Sequence, residues 1–127
     1  MTILVGYKRT PEGQAALGHG LEAASSTGAP LAIFPLADRD EAADLREDAA
    51  LNAAIEAGAT LLQSTRGGGH PAEELLDTAA EHDVALIVIG VRNRSRVSKL
   101  LLGSDAQSII LGATAPVLTV KVASDDR

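Results

Sequence analysis

Six consecutive apolar residues, Val84–Ile89, constrain the fold of this chain more than any other segment. An unbroken apolar run of this length is typical of a parallel strand that is covered on both faces. A basic loop bounded by Gly90 and Gly103 follows it. After the loop, four apolar side chains recur at the spacing of one helix face: Ala106, Ile109, Ile110 and Ala113. The segment therefore predicts a strand, a loop and a helix in succession, which is the repeating unit of an α/β fold.

The same alternation extends along the whole chain. Four further strands are predicted: Ile3–Tyr7, Leu31–Leu36, Ala59–Arg66 and Val117–Val122. Helices are predicted from Pro11, over Ala49–Ala57 and from Pro71, since proline favours the first helical position. The acidic stretch Asp38–Asp48 is interpreted as a solvated helix start without a function. Together these elements predict one domain over residues 1–127, an open five-stranded parallel α/β sheet with helices on both faces.

Three residues depart from regular elements. Pro35 cannot donate to a ladder, so strand pairing is predicted to break near it. Gly18 and Gly20 lie within the first helix, where each is unfavourable by about 1 kcal/mol relative to alanine. They indicate either close packing of that helix or the approach of a partner's backbone.

The distribution of charge indicates an anion site. The chain has 17 acidic and 11 basic residues and a formal net charge of -6. Six of the basic residues fall in two loops that follow strands: Lys8, Arg9, Arg92, Arg94, Arg96 and Lys99. The carboxyl ends of parallel strands meet at one edge, so these loops are predicted to lie together. A nucleic-acid surface is excluded because it needs a basic face and stacking aromatics, and this chain has one tyrosine and one phenylalanine. Charge alone supports a solvated loop equally well.

Composition excludes several classes of site. The chain has no cysteine, which rules out disulfides and thiolate chemistry. No apolar run is long enough to cross a bilayer, and the amino terminus lacks the charge order of a signal peptide. We therefore expect a cytoplasmic location and no membrane partner. The three histidines, His19, His70 and His82, are scattered, so no metal site is predicted.

The start of the last helix carries a capping signal. Ser104 at the N-cap and Gln107 three residues later fit a capping box. The first amides of this helix and its positive end are then expected to point at the loop, where they favour phosphate. A capping role by itself would also explain Ser104.

Several motifs together resemble the universal stress protein family. They are Ile3-Leu4-Val5-Gly6, Thr10-Pro11, Ala15-Ala16-Leu17, Leu86-Ile87-Val88-Ile89-Gly90, Leu100-Leu101-Leu102-Gly103-Ser104 and Ala115-Pro116-Val117-Leu118-Thr119-Val120. The resemblance spans nearly the whole chain and implies the strand order 3-2-1-4-5. It also implies ATP or another adenine nucleotide as ligand, with Mg²⁺ as an accompanying ion. The nucleotide signature of the family is Gly, two residues, Gly, nine residues, then Gly-Ser or Gly-Thr.

This chain matches that signature at Gly90, Gly103 and Ser104 but has Asn93 at the second glycine. Asparagine adopts the left-handed conformation more readily than most residues, so a turn at this position could persist. Lys8 stands where nucleotide-binding members commonly have an aspartate. A cation there cannot accept hydrogen bonds from ribose or adenine, but it can contact a phosphate or an acidic neighbour.

The loops and the resemblance together predict a nucleotide site. Its residues are Gly6, Tyr7, Lys8, Leu36, Ile89, Gly90, Arg92, Asn93, Arg94, Gly103, Ser104, Asp105 and Ala106. The resemblance implies that Gly90 allows the ribose and phosphates to approach, and that Gly103 with the following amides holds the phosphates. It implies a donor role for the Ser104 hydroxyl and adenine contacts from the backbone of Leu36. No catalytic residue is predicted.

Three hypotheses of function follow. The first is an adenine-nucleotide-binding regulatory module of the stress response. The second is the same fold without nucleotide, acting as an interaction protein, which Asn93 and Lys8 favour. The third, slow phosphohydrolysis, has the least support because Asp105 is the only carboxylate in the predicted site. The resemblance also implies a homodimer in which the last strand, Val117–Val122, pairs with its own copy.

Overall fold

The structure is a computed structural model that describes residues 1–36, 48–62, 70–93 and 102–123. Its strands are β1 (Thr2–Tyr7), β2 (Leu31–Pro35), β3 (Thr60–Leu61), β4 (Val84–Asn93) and β5 (Val117–Ala123). Its helices are α1 (Pro11–Thr27), α2 (Ala49–Glu56), α3 (Pro71–Glu81) and α4 (Ser104–Gly112). The strands form one parallel sheet in the order β3-β2-β1-β4-β5, which confirms the predicted fold. Within the described ranges, no helix combines the length and apolarity needed to cross a membrane.

Helices cover both faces of the sheet. On one face, β-strand side chains such as Val5 and Val88 pack with α1 and α2. On the other face, Leu4 and Ile87 pack with α3 and α4. The alternation of side chains along each strand divides the apolar residues between these two cores. The continuous apolar runs in the sequence therefore correctly indicated strands that are covered on both faces.

The connections leave a crevice between β1 and β4. These two strands are neighbours in the middle of the sheet, but β1 leads into α1 on one face and β4 leads towards α4 on the other. Their carboxyl ends therefore diverge into helices on opposite faces. A strand order that reverses in this way opens a ligand crevice at the carboxyl edge of the sheet.

Strand β4 is longer than the sequence predicted. The loop was expected to begin at Gly90, but residues 90–93 remain in the strand and pair in register with residues 120–123 of β5. Asn93 is thus a strand residue and not the left-handed turn that its type allowed. Of the strand expected over Ala59–Arg66, the structure assigns Thr60–Leu61 to β3, and residues 63–66 lie outside the described ranges.

Pro35 does not interrupt the pairing of β2 with β1. Beyond it, the Leu36 amide donates to the Tyr7 carbonyl of β1 over 2.8 Å. The backbone N–H and C=O groups of successive strand residues point to opposite neighbouring strands. Because the Leu36 amide points to β1, the nitrogen of Pro35 points to the side of β3. The expected break in pairing is therefore wrong for the β1 side, where the proline removes no donor.

Helix α1 begins and packs as its sequence suggests, with one exception. Thr10 is its N-cap, accepts from the Gly13 amide over 3.0 Å and precedes Pro11 at the first helical position. A Cβ on Gly20 would lie 2.4 Å from Cγ2 of Val5, which confirms close packing there. Around Gly18, in contrast, nothing lies within 4 Å of the position a Cβ would take, so close packing within the chain is wrong for Gly18, and the approach of a partner backbone stays a prediction.

A buried polar pair fixes α2 beneath the end of β1. The Tyr7 hydroxyl donates to Oδ2 of Asp48, whose Oδ1 accepts from the amides of Ala50 and Leu51. Asp48 is 2% exposed, so its assignment to a solvated charge run is wrong. Burial, together with the hydrogen bond and negative charge of Asp48, raises the pKa of Tyr7 well above its usual value. The remaining residues of that acidic stretch, 38–47, lie outside the described ranges.

This pair predicts a loss of stability in alkali. The pKa of Tyr7 is raised on folding, so its contribution is complete below the unfolded-state pKa of about 10 and declines as the pH rises above it. We expect the wild type to lose about 1.4 kcal/mol per pH unit there relative to Tyr7→Phe. Urea unfolding of both proteins at several pH values measures this difference. Tyr7 is the only tyrosine, so phenolate absorbance reports its titration directly. Parallel pH profiles for the two proteins would contradict the prediction.

Candidate functional site

A cavity of about 490 Å³ opens at the crevice between β1 and β4. Nine of the predicted site residues line it: Gly6, Lys8, Leu36, Ile89, Gly90, Gly103, Ser104, Asp105 and Ala106. Six lining residues were not predicted: Thr10, Glu12, Gly13, Val91, Leu102 and Ile109. Three of these belong to the start of α1, which follows the β1 loop directly. The Thr10-Pro11 helix start was the signal that could have placed them at this edge.

The other predicted residues are not shown to reach the cavity. The Tyr7 side chain lies on the α1 and α2 face, where its hydroxyl is bonded to Asp48. Arg92 and Asn93 belong to the end of β4, and Arg94 lies outside the described ranges. Of the six cations expected at this edge, the structure therefore places Lys8 in the cavity wall.

Helix α4 presents its amino terminus to the cavity. The helix begins at Ser104 with Gly103 as N-cap, so the expected capping box with Ser104 at the N-cap is wrong. The Gln107 side chain instead donates to the Leu102 carbonyl over 3.0 Å. A glycine cap has no side chain to accept from the first amides, in contrast with Thr10 in α1 and Asp48 in α2. These amides and the helix dipole favour an anion in the cavity.

An ion pair joins two walls of the cavity. Nζ of Lys8, just after β1, lies 3.2 Å from Oδ2 of Asp105 in the first turn of α4. Lys8 is 47% exposed and Asp105 is 28% exposed, so the pair remains in contact with solvent. The carboxylate also carries negative charge to the positive end of the helix. Asp105 therefore occupies the electrostatic position that an anionic ligand would seek.

Apolar side chains form another part of the cavity wall. Leu36, Ile89 and Ile109 line it, and each is at least nine-tenths buried. The Leu36 amide already donates to Tyr7, so an adenine contact from Leu36 would come from its carbonyl or its side chain. Ile110, expected on the same helix face as Ile109, is 38% exposed and faces away.

Two glycines hold α1 against the sheet beside the cavity. A Cβ on Gly90 would lie 2.0 Å from the Glu12 carbonyl oxygen, and one on Gly13 would lie 1.9 Å from that of Lys8. Neither backbone oxygen can move away without reshaping the wall. The glycine at Gly90 is therefore required by the packing of α1, in addition to any approach of a ligand.

These features suit a ligand with an anionic end and a flat apolar part. The cavity volume lies within the range of small-molecule pockets, and its wall combines the first amides of α4 with apolar side chains. Among the lining residues described, the charged ones are Lys8, Glu12 and Asp105. No group of three potential metal ligands occurs in the described part of the chain, so any Mg²⁺ here would rely mainly on oxygens of the ligand.

Comparison with known proteins establishes the family. The model of the universal stress protein family matches residues 1–121. A universal stress protein of Mycolicibacterium smegmatis is 37% identical over 125 residues, which are 94% of this chain and 96% of that protein. The chain belongs to the universal stress protein family. Gly90, Gly103 and Ser104, matched to the family signature, thus lie together in the wall of one cavity.

Solved structures of family members share this fold. The structure of a universal stress protein from Archaeoglobus fulgidus has a TM-score of 0.74 and 26% identity, and the match covers 94% of this chain and 97% of that one. A universal stress protein in complex with cAMP has a TM-score of 0.68 and 25% identity, covering 95% and 96% of the two chains.

Proposed function

We propose that this protein binds an adenine nucleotide, with ATP as the principal candidate, and acts as a regulatory module of the stress response. The observation that carries the proposal is the glycine-capped amino terminus of α4, which opens into a cavity with an apolar wall. Phosphates would lie against the amides of Ser104, Asp105 and Ala106, and the base would lie towards Leu36 and Ile89. The related protein in complex with cAMP supports an adenine nucleotide as the ligand class.

Affinity for ATP is the direct test. We expect a dissociation constant on the order of 1–100 μM by isothermal titration, and release of ATP, ADP or AMP from the denatured purified protein. Absence of heat at millimolar ATP, together with no displacement of a fluorescent ATP analogue, would refute the proposal.

A matched pair of variants in α4 locates the site. Ala106 lines the cavity, whereas Ser108 on the same helix is exposed to solvent. We expect Ala106→Leu to weaken ATP binding at least tenfold, or by about 1.4 kcal/mol, because the added carbons fill the space for the ligand. Ser108→Leu should bind ATP as the wild type does. Equal affinity in all three proteins would place ATP elsewhere.

The second candidate function is an interaction protein that binds no nucleotide. The ion pair between Lys8 and Asp105 favours it, because an internal anion already neutralises the cation of the cavity. This candidate would be favoured if the purified protein releases no nucleotide on denaturation and shows no binding of ATP in the titration.

We further propose a cytoplasmic homodimer. The order of the sheet leaves the outer side of β5 without a partner strand in the described part of the chain. Lys121 is the only charged residue of β5, so little else opposes pairing with a second copy. A two-fold pairing of this strand closes the edge.

A further inference from the structure

The ion pair in the cavity wall places a carboxylate beside the amides that would hold an anion. Lys8 and Asp105 approach to 3.2 Å, and both line the space into which the amino terminus of α4 opens. A phosphate held by the amides of α4 would lie close to the Asp105 carboxylate, which carries the same sign of charge. It would also attract Lys8, whose ammonium group is already engaged.

The pair is weak enough to exchange partners. Both side chains are partly exposed, and an ion pair of this kind shifts an equilibrium by a factor of only about two to five. A phosphate offers more negative charge than one carboxylate and several acceptor oxygens for an ammonium group. The Lys8 ammonium group can move to such a phosphate, because it is carried on the flexible four-carbon stem of lysine.

We propose that Asp105 is a built-in competitor for the phosphates of the ligand, and that binding transfers Lys8 from Asp105 to phosphate. This inference rests on the proposed nucleotide site and assigns its selectivity. A ligand with several phosphates overcomes the competitor more readily than one with a single phosphate, and adenosine gains nothing from Lys8. The pair thus makes the site select by phosphate charge.

Titrations with ATP, adenosine and inorganic triphosphate test the inference. We expect Asp105→Asn to raise the affinity for ATP and for triphosphate about two- to fivefold and to leave the affinity for adenosine unchanged, because it removes the competing charge but keeps the side-chain shape. Lys8→Met should weaken ATP and triphosphate by a similar factor. In the Lys8→Met background there is no cation to release, so Asp105→Asn should raise the affinity for ATP less than it does in the wild type. A gain in that background at least as large as in the wild type would show that the carboxylate only repels phosphate, and it would overturn the transfer of Lys8.

Glu22→Gln serves as the charge control. Glu22 is exposed on α1, about 15 Å along the helix from the cavity residue Glu12, and its substitution changes the net charge by the same amount. We expect its affinities to equal those of the wild type. A gain as large as that of Asp105→Asn would show an effect of net charge alone and overturn the inference.

The remaining outcomes separate the inference from the proposed function. If the wild type binds ATP and Asp105→Asn does not increase the affinity, the competitor role of Asp105 is overturned and the proposed function stands. If Asp105→Asn increases the affinity for triphosphate but no variant binds ATP, the competitor role is supported and the nucleotide proposal is refuted. Absence of binding by every protein to every probe refutes both.

Discussion

Alanine in place of Gly13 is expected to lower the free energy of unfolding by about 3 kcal/mol. The new Cβ would lie 1.9 Å from the carbonyl oxygen of Lys8 and 2.8 Å from its carbonyl carbon. That oxygen also accepts from the Thr10 amide over 2.8 Å, so it cannot turn aside without breaking the loop. Because this loop and α1 form one wall of the cavity, we also expect ATP binding to be lost. Urea unfolding with an unchanged m-value measures the first effect.

Gly18→Ala is the control in the same helix. Nothing lies within 4 Å of the position its Cβ would take, so alanine there should raise the free energy of unfolding by about 0.5–1 kcal/mol through helix propensity. The same chemical change is thus expected to have opposite signs five residues apart in α1. A Gly13→Ala protein as stable as the wild type would show that the backbone is not as tightly packed as the structure indicates.

Proline at Thr119 is expected to convert the proposed dimer into a folded monomer. The Ile87 amide donates to the Pro116 carbonyl, and Ile87 is in register with Val117. Alternation along β5 then directs the amide of Val120 towards β4 and that of Thr119 towards the open edge. Thr119→Pro therefore removes a donor of the dimer interface while the β4 ladder keeps its donors. Light scattering should give the chain mass of 13.0 kDa, in place of twice that mass for the wild type.

Val120→Pro is the matched substitution at the next residue, whose amide points to β4 and not to the open edge. Val120 is 8% exposed and in register with Gly90 of β4. Proline there removes a donor to β4 and leaves a carbonyl of that strand without its partner, so we expect the free energy of unfolding to fall by about 1–3 kcal/mol. A wild type that is monomeric at micromolar concentration refutes the dimer, and so does an unchanged dimer in Thr119→Pro.

Local sequence patterns were sufficient for the order of the elements and for the part of the site at the start of α4. Apolar runs and helical spacing predicted the alternation of strands and helices, because those periodicities are properties of neighbouring residues. Gly103, Ser104 and Asp105 were found for the same reason, since a helix start that follows a loop is a local signal. The position of the N-cap was wrong by one residue because both glycine and serine suit it.

Tertiary packing decided the contacts between segments that are distant in the chain. Residues 90–93 extend β4 because β5 supplies their partners, and no pattern within the segment encodes that pairing. Asp48 is buried because Tyr7 of β1 reaches it, although the two are 41 residues apart and the aspartate belongs to an acidic stretch. Gly13 fits beneath a carbonyl oxygen whose position follows from the path of the β1 loop.

The same distinction holds for the charge of the site. The sequence determined that this acidic chain carries cations after β1 and after β4, and that a helix begins beside them. Only the folded chain determined that Lys8 meets Asp105 at 3.2 Å. Electrostatic interaction depends on separation in space, and these two residues meet because β1 and β4 are neighbours in the sheet, with Lys8 directly after β1 and α4 following β4 in the chain. The number of cations in the sequence did not reveal this pairing.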